Sequence, residues 1–522
     1  MPSGNNFIRT MTFFHRKTTK YSLVYPNSSL TEYLPIGKDK TMKIDPTVSW
    51  MQERRPASHW EKSRDGSAQV ICNLSPRHCR IDDGQTGHCG VRGNVGGELF
   101  TFNYGKSVEA TMEFIETEAV NHFRPGAKIL SLGNIGCMMS CDFCQNWRTS
   151  QVRHLDPAEV RRYSPQDIID TCKMLGIKVI SWTYNDPVVW HEFVVETSRM
   201  AQREGIATLY KSAFYIETEA VDELIDCIDI FSISLKSIED RFYRKFTGGA
   251  HLQPILDMIR RVHASGRHLE ISQLLVTDRN DAEEETRRTN AWILENLGDR
   301  VPLHYVAFHP AYLYMATTRT PPEVVLRARQ LALEAGIKYC YAGNMFREGV
   351  ADTRCPACGA TTVSRFGLNA RPVGLRADGC CSQCGTQSDV KDPLGGVEPD
   401  ASHDLPPGAT RSGEFLWHRE ANSVHIEVGA DPASVCPIRV ERLGTGDVAA
   451  RTYFVGGILR RIIVSRQTDD ETGIRVTIPD KATFTFYPVL DRAHFPVSED
   501  IDSELSGYRK DREAMAAHQP SE

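Results

Sequence analysis

Between residues 128 and 344 the sequence alternates between two kinds of segment. Amphipathic runs typical of helices, such as residues 165–175 and 188–204, separate short apolar runs typical of buried strands. Because each strand-like run is followed by a helical one, the pattern predicts a parallel α/β repeat of the barrel type. Such barrels bind their ligands at the C-terminal ends of the strands. The strand-like runs are residues 129–133, 179–184, 207–212, 230–236, 269–276 and 303–309.

Three cysteines follow the first of these runs in a C-x3-C-x2-C spacing: Cys137, Cys141 and Cys144. Three thiolates on one short loop can hold three irons of a [4Fe–4S] cube and leave the fourth iron open to an outside ligand. The spacing is also compatible with part of a zinc site or with buried packing residues. Its position directly after a strand of a parallel repeat favours the iron–sulfur cluster, because ligands gather at such strand ends.

Residues 133–151 resemble the radical S-adenosylmethionine (radical SAM) superfamily. In particular they are similar to the radical SAM members of the AmmeMemoRadiSam system, relatives of pyruvate formate-lyase activating enzyme. The resemblance implies an α/β fold, a partial (β/α)6 TIM-like barrel open on one side, with a [4Fe–4S] cluster on the three cysteines and S-adenosyl-L-methionine (SAM) at the open iron. It further implies reductive cleavage of SAM to a 5′-deoxyadenosyl radical, with a flavodoxin or ferredoxin as the electron donor.

The resemblance also assigns residues to the SAM pocket. Residues 183–187 match the family's T-Y-N-E-P segment, which implies that Asn185 and Asp186 contact the amino group of the SAM methionine. Asp186 replaces the usual glutamate, so its carboxylate has a shorter reach. The alternative for both side chains is a turn that caps the next helix.

Three later strand ends carry counterparts of further family motifs. Ser212 begins the counterpart of T-N-G, which implies a bond to a ribose or carboxylate oxygen, and Phe214 stands where relatives have glycine. Ser234 and Lys236 lie in the counterpart of D-L-K. Lys236 is implied to meet the SAM carboxylate, with a position on the barrel rim as the alternative. His309, in the counterpart of F-H-P, is implied to reach SAM or the substrate.

A second set of cysteines follows the barrel as a pair of C-x2-C-G knuckles: Cys355, Cys358, Cys381 and Cys384. Two such knuckles are a strong pattern for a tetrahedral metal site with four thiolates. Zinc is the first expectation, with rubredoxin-type iron or a further cluster as alternatives, and a structural role is favoured over a catalytic one. Cys380, directly before Cys381, leaves the register of the second knuckle open.

A third set of cysteines precedes the barrel and consists of Cys72, Cys79 and Cys89. It resembles the family's C-x-L-C-P-x-x-C and G-x-C segments, with Ser75 in place of a fourth cysteine. His78 or His88 would complete a four-ligand site. Zinc, a labile auxiliary cluster and no metal at all remain open for this set.

Composition limits the remaining possibilities. The 522 residues carry a net charge of −6, so no overall field indicates nucleic acid or an anionic membrane as a partner. With no apolar run of ~18 residues and no signal-peptide pattern, the expected location is the cytoplasm. The 15 cysteines in that reducing compartment indicate metal ligands or reactive thiols rather than disulfides. Those outside the three sets are expected to be buried: Cys172, Cys227, Cys340 and Cys436.

These patterns predict a chain of several domains. The predicted segments are a flexible N-terminal arm (1–60), a Cys-containing N-terminal segment (61–127), the radical SAM partial barrel (128–345), the metal-knuckle module (346–390), a linker (391–412), a small all-β domain (413–497) and a charged tail (498–522).

Three functions are weighed on this basis. The first is a radical SAM enzyme that abstracts hydrogen from a small-molecule, peptide or protein substrate. The second is an activating enzyme that installs a glycyl radical on a partner protein. The altered pocket motifs and the added β domain favour the first. The third, of a different class, is a non-catalytic metal-knuckle scaffold, against which the lack of a basic stripe interleaved with aromatic residues weighs.

Overall fold

A computed structural model describes residues 42–345, 347–396, 405, 408–417, 421–444, 450–466 and 471–490. Most of the predicted N-terminal arm, residues 1–41, and the whole predicted tail lie outside this part of the chain. Within it, no helix is long and apolar enough to cross a membrane.

The predicted α/β fold class is confirmed by a sheet of parallel strands, here called the barrel strands and numbered in chain order. Each pairs in parallel with the next one along the chain. Their apolar residues are almost all buried, as expected for strands covered on both faces. The seventh strand is only four residues long and was not among the six predicted runs. The barrel strands are Lys128–Asn134, Val179–Thr183, Ala207–Ser212, Ile230–Ser234, His268–Leu275, Leu303–Ala307 and Cys340–Gly343.

Helices follow the barrel strands, and their ends are set by local sequence. In the first long helix, Ser164 and Asp167 form a reciprocal capping box, and Gly176 ends the helix in a left-handed conformation. The α-helices are Trp147–Ser150, Pro165–Leu175, His191–Arg203, Thr218–Cys227, Asp240–Phe246, Leu252–Ala264, Glu283–Leu297 and Pro322–Ala335. Short 3-10 helices are Ser49–Met51, Ile115–Glu118, Val152–His154, Pro157–Glu159, Pro187–Trp190 and Tyr312–Tyr314.

The strand Lys106–Phe114 extends the barrel sheet beyond the first barrel strand, with which it pairs antiparallel. On its other side the C-terminal strand Arg461–Ser465 pairs with it in parallel, through Arg461 opposite Thr111 and Ile462 opposite Met112. The strands Ala421–Gly429 and Thr483–Leu490 follow in the same sheet. The C-terminal β segment is therefore joined to the barrel by backbone hydrogen bonds.

The remaining C-terminal strands form a separate antiparallel sheet of four strands. Alternate residues of Cys436–Leu443 are buried, which is the pattern of a sheet with one face on a core. In sheet order its strands are Thr410–Leu416, Gly473–Pro479, Cys436–Leu443 and Arg451–Val455.

The described N-terminal residues form small antiparallel sheets against the barrel. Within the predicted flexible arm, Trp50 and Met51 are buried, and Lys106 Nζ donates a hydrogen bond of 2.7 Å to the carbonyl oxygen of Trp50. Burial of two large apolar side chains holds this part of the arm in place. The strands are Arg55–Pro56, Trp60–Lys62, Val70–Cys72, Cys79–Ile81, Arg92–Val95 and Glu98–Thr101.

The knuckle module lies at the N-terminal ends of the barrel strands. Arg300, which precedes the sixth barrel strand, donates a hydrogen bond of 2.6 Å to Asp389 of the module. Lys391 N donates to the carbonyl oxygen of His122, ahead of the first barrel strand, over 2.8 Å. The length of the barrel strands therefore separates the module from the opposite, C-terminal ends. Its strands are Thr353–Arg354, Thr361–Phe366 and Asn369–Pro372.

Candidate functional site

The C-x3-C-x2-C loop follows the first barrel strand and is held by backbone hydrogen bonds. Gly136 N donates to Thr149 O over 3.0 Å, and Asp142 N donates to Phe246 O over 3.0 Å. Gly136 has a φ of +81°, and a Cβ there would lie 2.8 Å from Val91 Cγ1, so a side chain does not fit. The loop that carries Cys137, Cys141 and Cys144 thus lies at the C-terminal ends of the barrel strands, as the strand pattern predicts.

Two thiols of this loop, those of Cys137 and Cys141, lie in surroundings that disfavour a negative charge. Burial raises the pKa of Cys137 well above its usual value and that of Cys141 to about 11, and the charges of neighbouring thiolates add to both effects. Thiols in such surroundings stay protonated unless a cation binds them, and a coordinated metal deprotonates a thiol. The donor set therefore fits a metal cluster better than free nucleophilic cysteines.

The spacing of the three sulfur atoms of this loop bears on whether the loop could bind a single metal ion or a cluster. Among the described residues, two sets of three or more His, Cys, Asp or Glu side chains bring their ligand atoms within 4.8 Å of one another, and the C-x3-C-x2-C loop is not one of them. Ligands of one tetrahedral ion must approach that closely, whereas thiolates that bind different irons of a cube lie farther apart. The sulfurs of this loop are therefore not arranged as the ligands of one tetrahedral ion, and a cluster whose irons each take one thiolate remains compatible with the loop.

Asn185 connects two segments at the rim of the barrel. Its Nδ2 donates hydrogen bonds to Asn134 O over 2.5 Å and to Thr149 Oγ1 over 3.0 Å. Asn134 ends the first barrel strand, and Thr149 belongs to the helix after the cysteine loop. Asn185 thereby fixes both ends of the loop in relation to each other.

The carboxylate of Asp186 accepts hydrogen bonds from within the chain. The donors are Ser212 Oγ at 2.8 Å, Ala213 N at 2.7 Å and Val188 N at 3.2 Å. Burial raises the pKa of Asp186, an effect that these hydrogen bonds and the charge of Lys236 oppose. The bond to Val188 is the helix-capping contact weighed as the alternative, and the other two bind the end of the third barrel strand.

Ser212 and Phe214 form a tight turn, in which Phe214 occupies the position of the glycine in the T-N-G motif. Ser212 Oγ accepts a hydrogen bond of 2.8 Å from Phe214 N. Phe214 has a φ of +61°, a left-handed conformation that costs a residue with a Cβ roughly 1–2 kcal/mol. Its ring is fully buried and contacts the rings of Tyr210 and Phe231 edge to face. Packing of the aromatic rings offsets the backbone strain, so the turn can form with phenylalanine in place of glycine.

Lys236 brings a positive charge to the thiol loop, whereas Ser234 contacts the neighbouring strand. Burial alone would lower the pKa of Lys236, but the negative charges of the Cys141, Cys144 and Cys137 thiolates outweigh it and raise the pKa. Ser234 Oγ lies 3.4 Å from Ser272 Oγ. Of these two predicted residues, the structure therefore brings Lys236 into electrostatic reach of the thiol loop.

His309 follows the sixth barrel strand and is partly buried. Burial lowers its pKa to about 4, and the charge of Arg319 adds to this effect. Its ring is therefore neutral at physiological pH and can accept or donate a hydrogen bond at the barrel mouth.

Charged residues inside the barrel were not identified from the sequence. Lys211 Nζ donates to Ser232 Oγ over 3.1 Å and to Ser272 Oγ over 2.9 Å, and burial lowers its pKa to about 8. Glu118 accepts a hydrogen bond of 2.8 Å from Thr183 Oγ1, and burial raises its pKa. The available signal was a lysine within an otherwise apolar strand run.

The third set of cysteines lines a pocket that reaches the thiol loop at Met138. Cys72 and Cys79 are opposite each other on paired strands, and burial raises the pKa of Cys89 to about 12. Arg77 also lines this pocket and donates a hydrogen bond to the carbonyl oxygen of Met138. Metal binding by this set stays a prediction.

The predicted knuckles form a compact set of four sulfurs. Cys355 Sγ lies 3.6 Å from Cys384 Sγ, and Cys358 Sγ lies 3.7 Å from Cys381 Sγ. Sulfurs bound to one tetrahedral zinc at ~2.3 Å lie about 3.8 Å apart. Cys380 Sγ instead contacts Gln387 Oε1 at 3.3 Å, which settles the register of the second knuckle. Cys172, Cys227, Cys340 and Cys436 are buried, as predicted.

Comparison with known proteins adds to these observations. The family model of the radical SAM superfamily matches residues 134–290. The uncharacterized protein MJ0808 of Methanocaldococcus jannaschii is 34% identical over 339 residues, which are 64% of this chain and 99% of that protein.

Solved structures are similar at lower identity. A domain of a pyruvate-formate lyase-activating enzyme from Bacteroides vulgatus is 19% identical, with a TM-score of 0.28 over 31% of this chain and 98% of that chain. A radical SAM methyltransferase from Sphaerobacter thermophilus is 13% identical, with a TM-score of 0.33 over 55% of this chain and 76% of that chain. Likenesses this weak carry no conclusion about activity. The family match, together with the thiol loop at the barrel mouth, establishes that the chain belongs to the radical SAM superfamily.

Proposed function

We propose that the chain is an enzyme that reductively cleaves SAM and abstracts hydrogen from a small-molecule, peptide or protein substrate. The observation that supports this most directly is the set of three thiols of Cys137, Cys141 and Cys144 on one loop at the barrel mouth, within electrostatic reach of the ammonium group of Lys236. These thiols would hold the [4Fe–4S] cluster. Once reduced by an external electron donor, that cluster would supply the electron that breaks a carbon–sulfur bond of the SAM sulfonium, which would give methionine and a 5′-deoxyadenosyl radical.

The residues around the loop would orient SAM and exclude water. Lys236 provides a cation that can pair with the SAM carboxylate, and it also balances the charge of the thiolates. Asp186 retains lone pairs beyond those used by its three donors, so it can still accept from an ammonium group. Ser212 is the third proposed contact. Asn185, whose amide bonds to the backbone of Asn134, is proposed as a positioning residue.

Apolar side chains surround this loop on the barrel side. The ring of Phe143, within the loop, contacts the rings of Phe242 and Tyr314 at centroid distances of 5.7 and 6.4 Å. Leu313 N donates a hydrogen bond of 2.9 Å to Asp142 O, which holds the Tyr312–Tyr314 segment against the loop. Such a dry wall would protect a carbon radical from water and strengthen the local electrostatic interactions.

The proposal includes a flavodoxin or ferredoxin as electron donor and a cytoplasmic location. It places the chain near the radical SAM members of the AmmeMemoRadiSam system. An activating enzyme for a glycyl radical partner is the alternative within the same chemistry. The metal at Cys355, Cys358, Cys381 and Cys384 is proposed to be zinc in a structural role, because these cysteines lie at the end of the barrel opposite the thiol loop.

The test is anaerobic reconstitution of the full chain with iron and sulfide, followed by SAM and dithionite. We expect 5′-deoxyadenosine from the parent and none from Cys144→Ala. The matched control is Cys172→Ala, which alters a buried helix cysteine outside every cluster and should retain the activity. Equal product from Cys144→Ala and parent would disprove the cysteine assignment.

A second measurement distinguishes a protein that binds SAM without cleaving it from one that does not bind SAM. SAM that binds at the open iron changes the electron paramagnetic resonance spectrum of the reduced cluster. A protein that holds its cluster, shows no such change and forms no 5′-deoxyadenosine would favour the non-catalytic metal-knuckle scaffold.

A further inference from the structure

Three side chains from distant parts of the sequence converge outside the thiol loop. They are His59 in the N-terminal segment, His191 at the start of the helix His191–Arg203, and Glu223 in the helix Thr218–Cys227. The Nε2 atoms of the two histidines lie 3.3 Å apart. Glu223 Oε1 lies 3.4 Å from His59 Nε2, and its Oε2 lies 3.1 Å from His191 Nε2.

Protons cannot satisfy all three of these contacts while the carboxylate is ionised. Each histidine must carry a proton on Nε2 to donate to Glu223, but two such protons would then face each other across 3.3 Å. If one Nε2 is deprotonated to accept from the other ring, its lone pair faces the carboxylate instead. One of the three close contacts is therefore repulsive in every arrangement of protons. A bound cation removes this conflict, because the lone pairs of both Nε2 atoms and of the carboxylate can then point at the ion.

The distances also have the values that a metal ion requires. Ligand atoms ~2.0–2.1 Å from a tetrahedral zinc ion lie about 3.3 Å from one another. The two Nε2 atoms are separated by 3.3 Å, and each lies 3.1 to 3.4 Å from a different oxygen of the Glu223 carboxylate, so all three distances are close to this value.

The residues adjacent to two of these ligands are bonded to each other. Ser58 N and Ser58 Oγ donate hydrogen bonds of 2.8 and 2.9 Å to Glu192 Oε1, which also pairs with Arg92 at 2.8 Å. His59 has a φ of +53°, a left-handed conformation that is uncommon for residues with a Cβ. Backbone strain of this kind clusters at functional sites, where the surrounding structure holds a side chain in position, and metal ligation is one such function.

We propose that His59, His191 and Glu223 bind one zinc ion, with one coordination position left open. Two imidazoles and one carboxylate are a ligand set suited to Zn²⁺ and related divalent transition-metal ions. The carboxylate side is accessible, because the Glu223 side chain is 42% exposed whereas His191 is 1% exposed. The ion would fasten the N-terminal segment to the helices that follow the second and third barrel strands. This site is independent of SAM cleavage.

The test is a zinc titration by calorimetry of the full chain after metal removal. The parent should bind one more zinc ion per chain than Glu223→Gln. Glu219→Gln, on an exposed position one turn earlier in the same helix, is the matched control and should bind as the parent does. His191→Gln provides a second variant, with folding of each protein checked by circular dichroism.

Cobalt as a probe separates this site from the cysteine sets. Co²⁺ bound to thiolates gives intense near-ultraviolet charge-transfer absorption, which a site of two histidines and a carboxylate does not give. Glu223→Gln should lose one equivalent of bound Co²⁺ without losing that absorption. Equal zinc stoichiometry in the parent, Glu223→Gln and His191→Gln would overturn the proposal, as would a lost equivalent that removes the thiolate absorption.

Discussion

His88 Nε2 lies 2.7 Å from Ser140 Oγ. This contact joins the N-terminal cysteine segment to the loop that carries the candidate cluster ligands. Arg77 adds a second link, with hydrogen bonds to the carbonyl oxygens of Met138 and Gly248. The N-terminal segment thus packs against the thiol loop, and substitutions in this segment should alter the stability of the loop.

His88→Ala should weaken retention of the cluster proposed on Cys137, Cys141 and Cys144, of which His88 is not a proposed ligand. Loss of one hydrogen bond typically costs about 1 kcal/mol, so the loop should open more often and release iron faster to a chelator. The measurement is the rate of iron loss after anaerobic reconstitution. His263→Ala, on the exposed face of another helix, should behave as the parent does. Equal rates of loss in both variants would contradict a role for the contact.

Gly136→Ala should be far more damaging than Gly176→Ala. Both glycines have a positive φ, at which alanine costs about 1–2 kcal/mol. At Gly136 the new Cβ would also meet Val91 Cγ1 at 2.8 Å and Cys89 O at 2.9 Å, whereas at Gly176 it meets nothing within 4 Å. Urea unfolding and the iron content of the reconstituted proteins measure the difference. Similar losses at the two positions would show that the close approach does not matter.

Asp186→Asn should lower the free energy of unfolding by about 1–3 kcal/mol even without SAM, because an amide NH₂ would replace an oxygen that accepts a backbone N–H. Asp156→Asn is the control, since Asp156 accepts one capping bond that asparagine makes equally well. Unchanged stability combined with lost SAM binding would instead assign Asp186 a direct contact with SAM only. Denaturant unfolding and equilibrium dialysis of SAM distinguish these outcomes.

Cys358→Ala should release the metal of the knuckle module and lower the midpoint temperature of unfolding, because binding of a structural metal contributes to folding. Cys380→Ala changes a neighbouring cysteine that contacts Gln387 and should retain the metal. Metal content by mass spectrometry and thermal unfolding provide the readouts. Loss of metal from Cys380→Ala would make Cys380 a ligand and contradict the register, and retention of metal in Cys358→Ala would contradict the four-cysteine site.

His309 should make stability fall on acidification. Its pKa of about 4 in the folded chain is below the ~6.5 of an unfolded histidine. Between these values the unfolded state binds a proton that the folded state does not, so the stabilisation is present above about pH 6.5 and is lost as the pH falls towards 4. His309→Gln should lose less stability than the parent between about pH 7 and pH 5, with His263→Gln as the control. Parallel pH profiles of the parent and His309→Gln would contradict the shift.

Local patterns predicted the barrel well because strand formation and strand-end ligation follow short-range rules. The run 207–212 coincides with the strand Ala207–Ser212, and the run 179–184 differs from Val179–Thr183 by one residue. The fold class and the superfamily are confirmed. The AmmeMemoRadiSam relationship and the individual SAM contacts stay predictions.

Contacts between residues that are far apart in the chain could not be predicted from local sequence patterns. His59 and His191 are 132 positions apart, and nothing in either local sequence indicates that the two rings meet. The second knuckle could not be placed because Cys380 and Cys381 are adjacent. Its register is decided by the backbone, where Gly385 N donates to Cys381 O over 2.9 Å just as Gly359 N donates to Cys355 O over 2.9 Å.

The parallel pairing of Arg461–Ser465 with Lys106–Phe114 means that the C-terminal β segment covers an edge of the barrel sheet. A chain truncated before residue 410 would leave the backbone N–H and C=O groups of Thr111 and Met112 without their partners at an open sheet edge. Such an edge is a template for pairing with another molecule and favours aggregation. During synthesis the barrel would therefore remain exposed to self-association until the last strands emerge from the ribosome.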